Sequence, residues 1–236
     1  MTAWKAWLDG HQFDLETLSG LFREGDPLVA LDSPDGYYLA SSALQDSNGQ
    51  LDHAVAEALV KRINGIGRAT DQGFRPVRLT GRYTAPDGTT SAVITGLTGE
   101  IRLKGKVGTV LVNGVAVPEP PPKGPRYVKL AEQDPDVADA LRILGQPEPL
   151  DWYDLYKAWE IVEQAVGGSR QVAARGWASK ADLDRLTCSA NHPGISGDSA
   201  RHARMDGTPK RSMTMSEADA LVRRLVATWI ESHPAY

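Results

Sequence analysis

Residues Pro118–Pro125 read PEPPPKGP, and they separate two stretches of different character. Proline fixes φ and removes an N–H donor, so this segment favours an extended, polyproline-type spacer and marks a domain boundary. Before it lie short β-prone runs punctuated by turn residues; after it come segments with helical periodicity and capping residues. The fold class this implies is α+β. Residues 1–117 are expected to form a domain with a mainly antiparallel sheet and helices, 118–125 the linker, and 126–236 a helical domain.

Immediately upstream of the linker, VLVNGVAV has Asn113-Gly114 between β-branched residues, the pattern of a two-residue hairpin. EIRLKGKV, TTSAVITG and PVRLTGRYT precede it, with the turn Ala85-Pro86-Asp87-Gly88 between the last two. Connections this short predict an antiparallel meander. Further back, Asp52 is predicted to cap a helix with Val55, Leu59 and Ile63 on one stripe, and the glycines of Asn64-Gly65-Ile66-Gly67 to stop it. Ser33-Pro34-Asp35-Gly36 joins the runs Val29–Leu31 and Tyr37–Leu39 as a hairpin. A strand near Trp4–Leu8 and a helix capped by Asp14 and ending near Phe22 complete this half.

Downstream, Asp134-Pro135 opens a short helix that Gly145 closes, and Asp151 opens a longer one that Gly167-Gly168 closes. The longer helix carries Trp152, Leu155, Trp159, Val162 and Val166 on one stripe, which predicts a core face. Ser179 and Asp182 start another helix, and Thr214 with Glu217 forms a capping box for the last. In that last helix Ala218, Leu221, Leu225 and Trp229 face one way, with Arg223 and Arg224 expected on the opposite, solvent side.

The chain has 236 residues, 41% hydrophobic and 24% charged, enough to bury one large core or two small ones. No apolar run approaches the roughly 20 residues that cross a bilayer, and the N-terminus lacks a secretory apolar core, so a cytoplasmic location without membrane attachment is expected. The single cysteine, Cys188, cannot form an internal disulfide. A net charge of −4 argues against a broad nucleic-acid-coating surface, so any phosphate grip must be local.

One segment concentrates the chemistry: Arg185–Arg211, RLTCSANHPGISGDSARHARMDGTPKR. Arg201, His202 and Arg204, with Asn191 and Asp198, form the candidate ligand-binding set. Guanidinium groups bind phosphate or carboxylate in a planar fork, and a Gly-containing loop presents free N–H groups. The same cations can instead pair with the acidic stretch 130–163. Cys188, His192, His202 and Asp198 are metal-ligand types, but their spacing matches no zinc module, and neither metal nor cofactor is expected. No P-loop or Gly-x-Gly-x-x-Gly sequence is present.

Arg185 and His192, separated by six residues near the end of a helix, resemble the Arg-x(4–6)-His signature of HEPN-type ribonucleases. That resemblance implies that Arg185 holds a phosphate while His192 assists the ribose 2′-hydroxyl, without a metal. Leu186 departs from the signature, as do Pro193 and Gly194 directly after the histidine. The stretches GWASKADLDRLTCSANHPGISGDSARHA and MTMSEADALVRRLVATWI also look similar to an uncharacterised family of bacterial proteins, a resemblance that implies no activity. The expected function is therefore non-catalytic: binding of a protein partner or phosphate-bearing ligand, RNA included, through residues 185–211. The alternative is a metal-independent HEPN-like ribonuclease with Arg185 and His192 as catalytic residues.

Overall fold

The computed structural model describes residues 3–92, the strand pairs 111–112 and 115–116, and residues 121–200 and 211–234. The fold is α+β, with an antiparallel five-stranded sheet and a set of helices. Grouped by contact, the chain forms two units: Met1–Ala58 with Val77–Arg126, and Leu59–Pro76 with Tyr127–Tyr236. The divisions fall between Ala58 and Leu59, between Pro76 and Val77, and between Arg126 and Tyr127. Residues 59–76, however, group with the C-terminal helices.

In the first unit the strands are β1 (Lys5–Asp9), β2 (Leu28–Asp32), β3 (Gly36–Ala40), β4 (Arg78–Thr84) and β5 (Thr90–Ala92), in spatial order β2-β3-β1-β4-β5. This is not a simple meander, because β1 pairs with both β3 and β4. Helix α1 (Gln12–Leu21) links β1 to β2, and α2 (His53–Thr70) leaves after β3 and returns before β4. A connection containing a helix frees the next strand from lying beside the last. Only the β2–β3 and β4–β5 hairpins follow chain order here, and at the first the turn ends on Gly36 with φ +110°, a conformation that favours glycine.

The periodicity of two places Ala6, Val29, Leu39 and Tyr83 in the core, where Leu15, Leu18 and Phe22 of the α1 region are also buried. The cap of α1 is His11 rather than Asp14: the ring Nδ1 accepts from the Phe13 N–H at 3.3 Å, and Asp14 is buried in the first turn. Strands β6 (Leu111–Val112) and β7 (Val115–Ala116) form a separate antiparallel pair. The EIRLKGKV stretch, the Asn113-Gly114 tip and Pro118 to Pro120 lie outside the described residues. Gly124 and Pro125, expected in the linker, instead open α3 (Gly124–Gln133), whose first turn needs no proline N–H.

The remaining helices are α4 (Pro135–Leu144), α5 (Trp152–Ala165), α6 (Ser169–Ala174), α7 (Lys180–Asn191), α8 (Pro193–Ser196) and α9 (Met215–Ser232). Four of their starts follow the capping residues read from sequence: Asp134, Asp151, Ser179 and Thr214 each accept backbone N–H bonds from the first turn. Trp152, Trp159 and Trp229 are all buried, as their stripes require. Among the described residues, no helix is long and apolar enough to cross a membrane.

Helix α2 does not stop at Asn64-Gly65-Ile66-Gly67 but runs through it to Thr70. The glycines there serve close packing. A Cβ on Gly65 would lie 2.1 Å from the Leu141 carbonyl oxygen of α4, and one on Gly145 would lie 1.8 Å from that of Lys61. Contact between two backbones outweighs the roughly 1 kcal/mol that glycine costs inside a helix.

This geometry reverses the usual sign of a helical Gly→Ala change. Gly65→Ala is expected to destabilise by about 1–3 kcal/mol through overpacking. Gly20→Ala in α1, where nothing lies within 4 Å, is expected to stabilise by about 0.5–1 kcal/mol. Urea denaturation of both variants measures the two signs; stabilisation by Gly65→Ala would show that α2 and α4 do not touch there. Trp159→Ala, at a side chain 1% exposed, is expected to lose about 3–5 kcal/mol in the same assay.

Candidate functional site

Helix α7 carries the N-terminal part of the candidate segment, and its side chains hold down the start of α9. Arg185 Nε donates to the Ser212 carbonyl at 2.9 Å, and a terminal nitrogen donates to Glu217 Oε1 at 2.9 Å. Asp182, one turn earlier, lies 3.5 Å from the other terminal nitrogen. Glu217 also completes the capping box of α9, accepting from the Thr214 N–H at 2.7 Å and hydroxyl at 3.0 Å. The Thr214 backbone bond first, and Arg185 second, hold the Glu217 carboxyl down to about 2. One turn further along α7, the fully buried Ser189 accepts the Met213 N–H at 2.9 Å. Arg185 and Ser189 thus bind residues 212 and 213 directly, and Arg185 also reaches α9 through Glu217.

His192 sits at the joint between α7 and α8. Its N–H donates to the Cys188 carbonyl at 3.2 Å, and its Nδ1 accepts the Gly194 N–H at 3.0 Å. Its own carbonyl accepts from Ile195 and from the Ser196 N–H and hydroxyl. The ring is buried, and Pro193 takes the first position of α8, where no N–H is needed. Local chemistry of the sequence Asn-His-Pro-Gly therefore makes this residue both the end of one helix and the cap of the next.

Of the other candidates, Asn191, Asp198 and Cys188 fall among the described residues. Asn191 ends α7, and its Oδ1 is buried without a hydrogen-bond partner among the described residues. Asp198 is exposed on a single 3₁₀ turn, Gly197–Ser199. From that turn the Ser199 hydroxyl donates to Asp151 Oδ2, at 2.8 Å, on the cap of α5. Cys188 is half-buried with a free thiol. Arg201, His202 and Arg204 lie outside the described residues, as does Lys210. No group of three His, Cys, Asp or Glu side chains placed to hold a metal occurs among the described residues. The described geometry thus joins Arg185 to α9 and His192 to α8; the first is an ion-paired bridge and the second a cap.

The feature that sequence reasoning missed is a pair of buried arginines in the second unit. Arg68 of α2, 5% exposed, donates to the carbonyls of Leu144 at 2.7 Å, Gln146 at 2.8 Å and Glu148 at 3.2 Å. Arg223 is not on the solvent side of α9 but buried, donating to Asp219 at 2.8 Å and to the carbonyls of Gln72 and Phe74. Arg224 is exposed, as expected. Burial, and then the neighbouring Arg223, push the Arg68 guanidinium down to about 10, with Asp219 opposing. The available signal was Arg223 lying between Val222 and Leu225 on a helix whose apolar positions cover more than one stripe.

No protein-family model, curated protein or solved structure matches the chain.

Two outcomes are expected from these bonds. Glu217 has its carboxyl lowered from 4.5 to about 2, so its stabilising contribution is complete above about pH 4.5 and is lost as pH falls towards 2. In acid unfolding, Glu217→Gln should lie below the wild type at pH 5 and converge with it near pH 2; parallel curves would remove the charged bridge. Arg68→Ala leaves the Leu144 and Gln146 carbonyls without this donor and is expected to cost about 2–6 kcal/mol by urea denaturation, at about 1–3 kcal/mol per unsatisfied group. Arg68→Lys, with a single ammonium in place of the fork, should recover only part of that loss.

Proposed function

We propose that the chain is a non-catalytic binding or accessory protein whose Arg- and His-rich segment, residues 185–211, engages a protein partner or a phosphate-bearing ligand. The observation that carries this reading is the engagement of the two residues on which a ribonuclease would depend. Arg185 spends its donors on the Ser212 carbonyl and on Glu217, and His192 uses Nδ1 to accept the Gly194 N–H. A residue that bridges two helices and one that caps a third are already serving the fold. In this reading the contacts fall to Arg201, His202 and Arg204, with Asn191 and Asp198 as the further members of the set. Asn191 supports the assignment through its buried Oδ1, an acceptor with no donor among the described residues.

The flanks of the segment fit a presenting role. Ser199 is tied to the α5 cap and Met213 to Ser189 of α7, so the chain enters and leaves residues 200–211 from one helical unit. Anchored ends reduce the chain entropy that binding would otherwise cost. This reading places the protein in the bacterial cytoplasm and needs neither metal nor cofactor.

The test uses the purified full chain and a short fluorescein-labelled single-stranded RNA in the presence of EDTA. Binding that weakens as salt rises, drops in the Arg201→Ala/Arg204→Ala double variant and leaves the RNA intact is the expected result. Cleavage in EDTA that disappears in His192→Asn would establish the ribonuclease alternative instead. Asparagine is a strong helix N-cap, so circular dichroism should show the variant folded and the loss should be chemical. Cleavage unchanged in His192→Asn identifies a contaminating nuclease. An absence of RNA binding at low salt directs the reading to a protein partner.

A further inference from the structure

We draw no further inference here: the strongest candidate, the buried guanidinium cluster of Arg68 and Arg223 formed by α2, α9 and the loop after α4, spends its donors on backbone carbonyls and on Asp219, and nothing in the structure shows what the one unpartnered Arg68 Nε–H would hold.

Discussion

Helices α2 and α4 meet backbone to backbone, and the closeness of that contact governs the chemistry beside it. Gly65 lies against the Leu141 carbonyl and Gly145 against that of Lys61, a separation that no side chain can enter. Such an approach brings carbonyls at the end of α4 within reach of α2, where Arg68 gathers those of Leu144, Gln146 and Glu148. The arginine satisfies acceptors that a tight helix junction removes from water, and its charge is tolerated because those carbonyl dipoles surround it. Arg223 repeats the device from α9 on the carbonyls of Gln72 and Phe74. Close packing and buried charge are thus one arrangement seen from two sides.

The α7–α9 connection follows a different logic, since it lies nearer the surface. There Glu217 receives bonds from Thr214 and Arg185 together, so a capping box and an ion pair share one carboxylate. An exposed ion pair alone contributes little to stability. Shared with a cap, the same arginine specifies where α9 begins relative to α7. That shared role gives Arg185 a structural task that its spacing from His192 does not reveal.

Features written locally were legible. The caps Asp134, Asp151, Ser179 and Thr214, the β2–β3 hairpin turn and the tryptophan stripe of α5 each depend on residues within a turn or two of one another. Apart from the α1 cap, which is His11 rather than Asp14, and the start of α3 at Gly124, what escaped reading depends on partners far along the chain. Gly65 resembles a helix stop until Leu141 is known to lie against it, and Arg223 resembles a solvent residue until the Gln72 carbonyl is in view. The place of β1 between β3 and β4 is likewise non-local. For the candidate site, the residue types and their clustering were visible, whereas the engagement of Arg185 by Glu217, 32 positions on, was not.

The membership of residues 59–76 in the helical unit bears on how the protein is born. A ribosome delivers the chain from its N-terminus, so Gly65 emerges 76 residues before Leu141, the difference of their positions. At about 5–20 residues per second that interval is roughly 4–15 s. Once made, Ile63, Ile66 and Phe74, all buried in the finished protein, precede the rest of their unit, which resumes at Tyr127. The first unit is fully synthesised by Arg126, but the second needs Trp229 and Ile230 near the very end. Nascent and prematurely terminated chains therefore display an apolar stripe that the intact protein hides, the kind of surface that chaperones engage during translation.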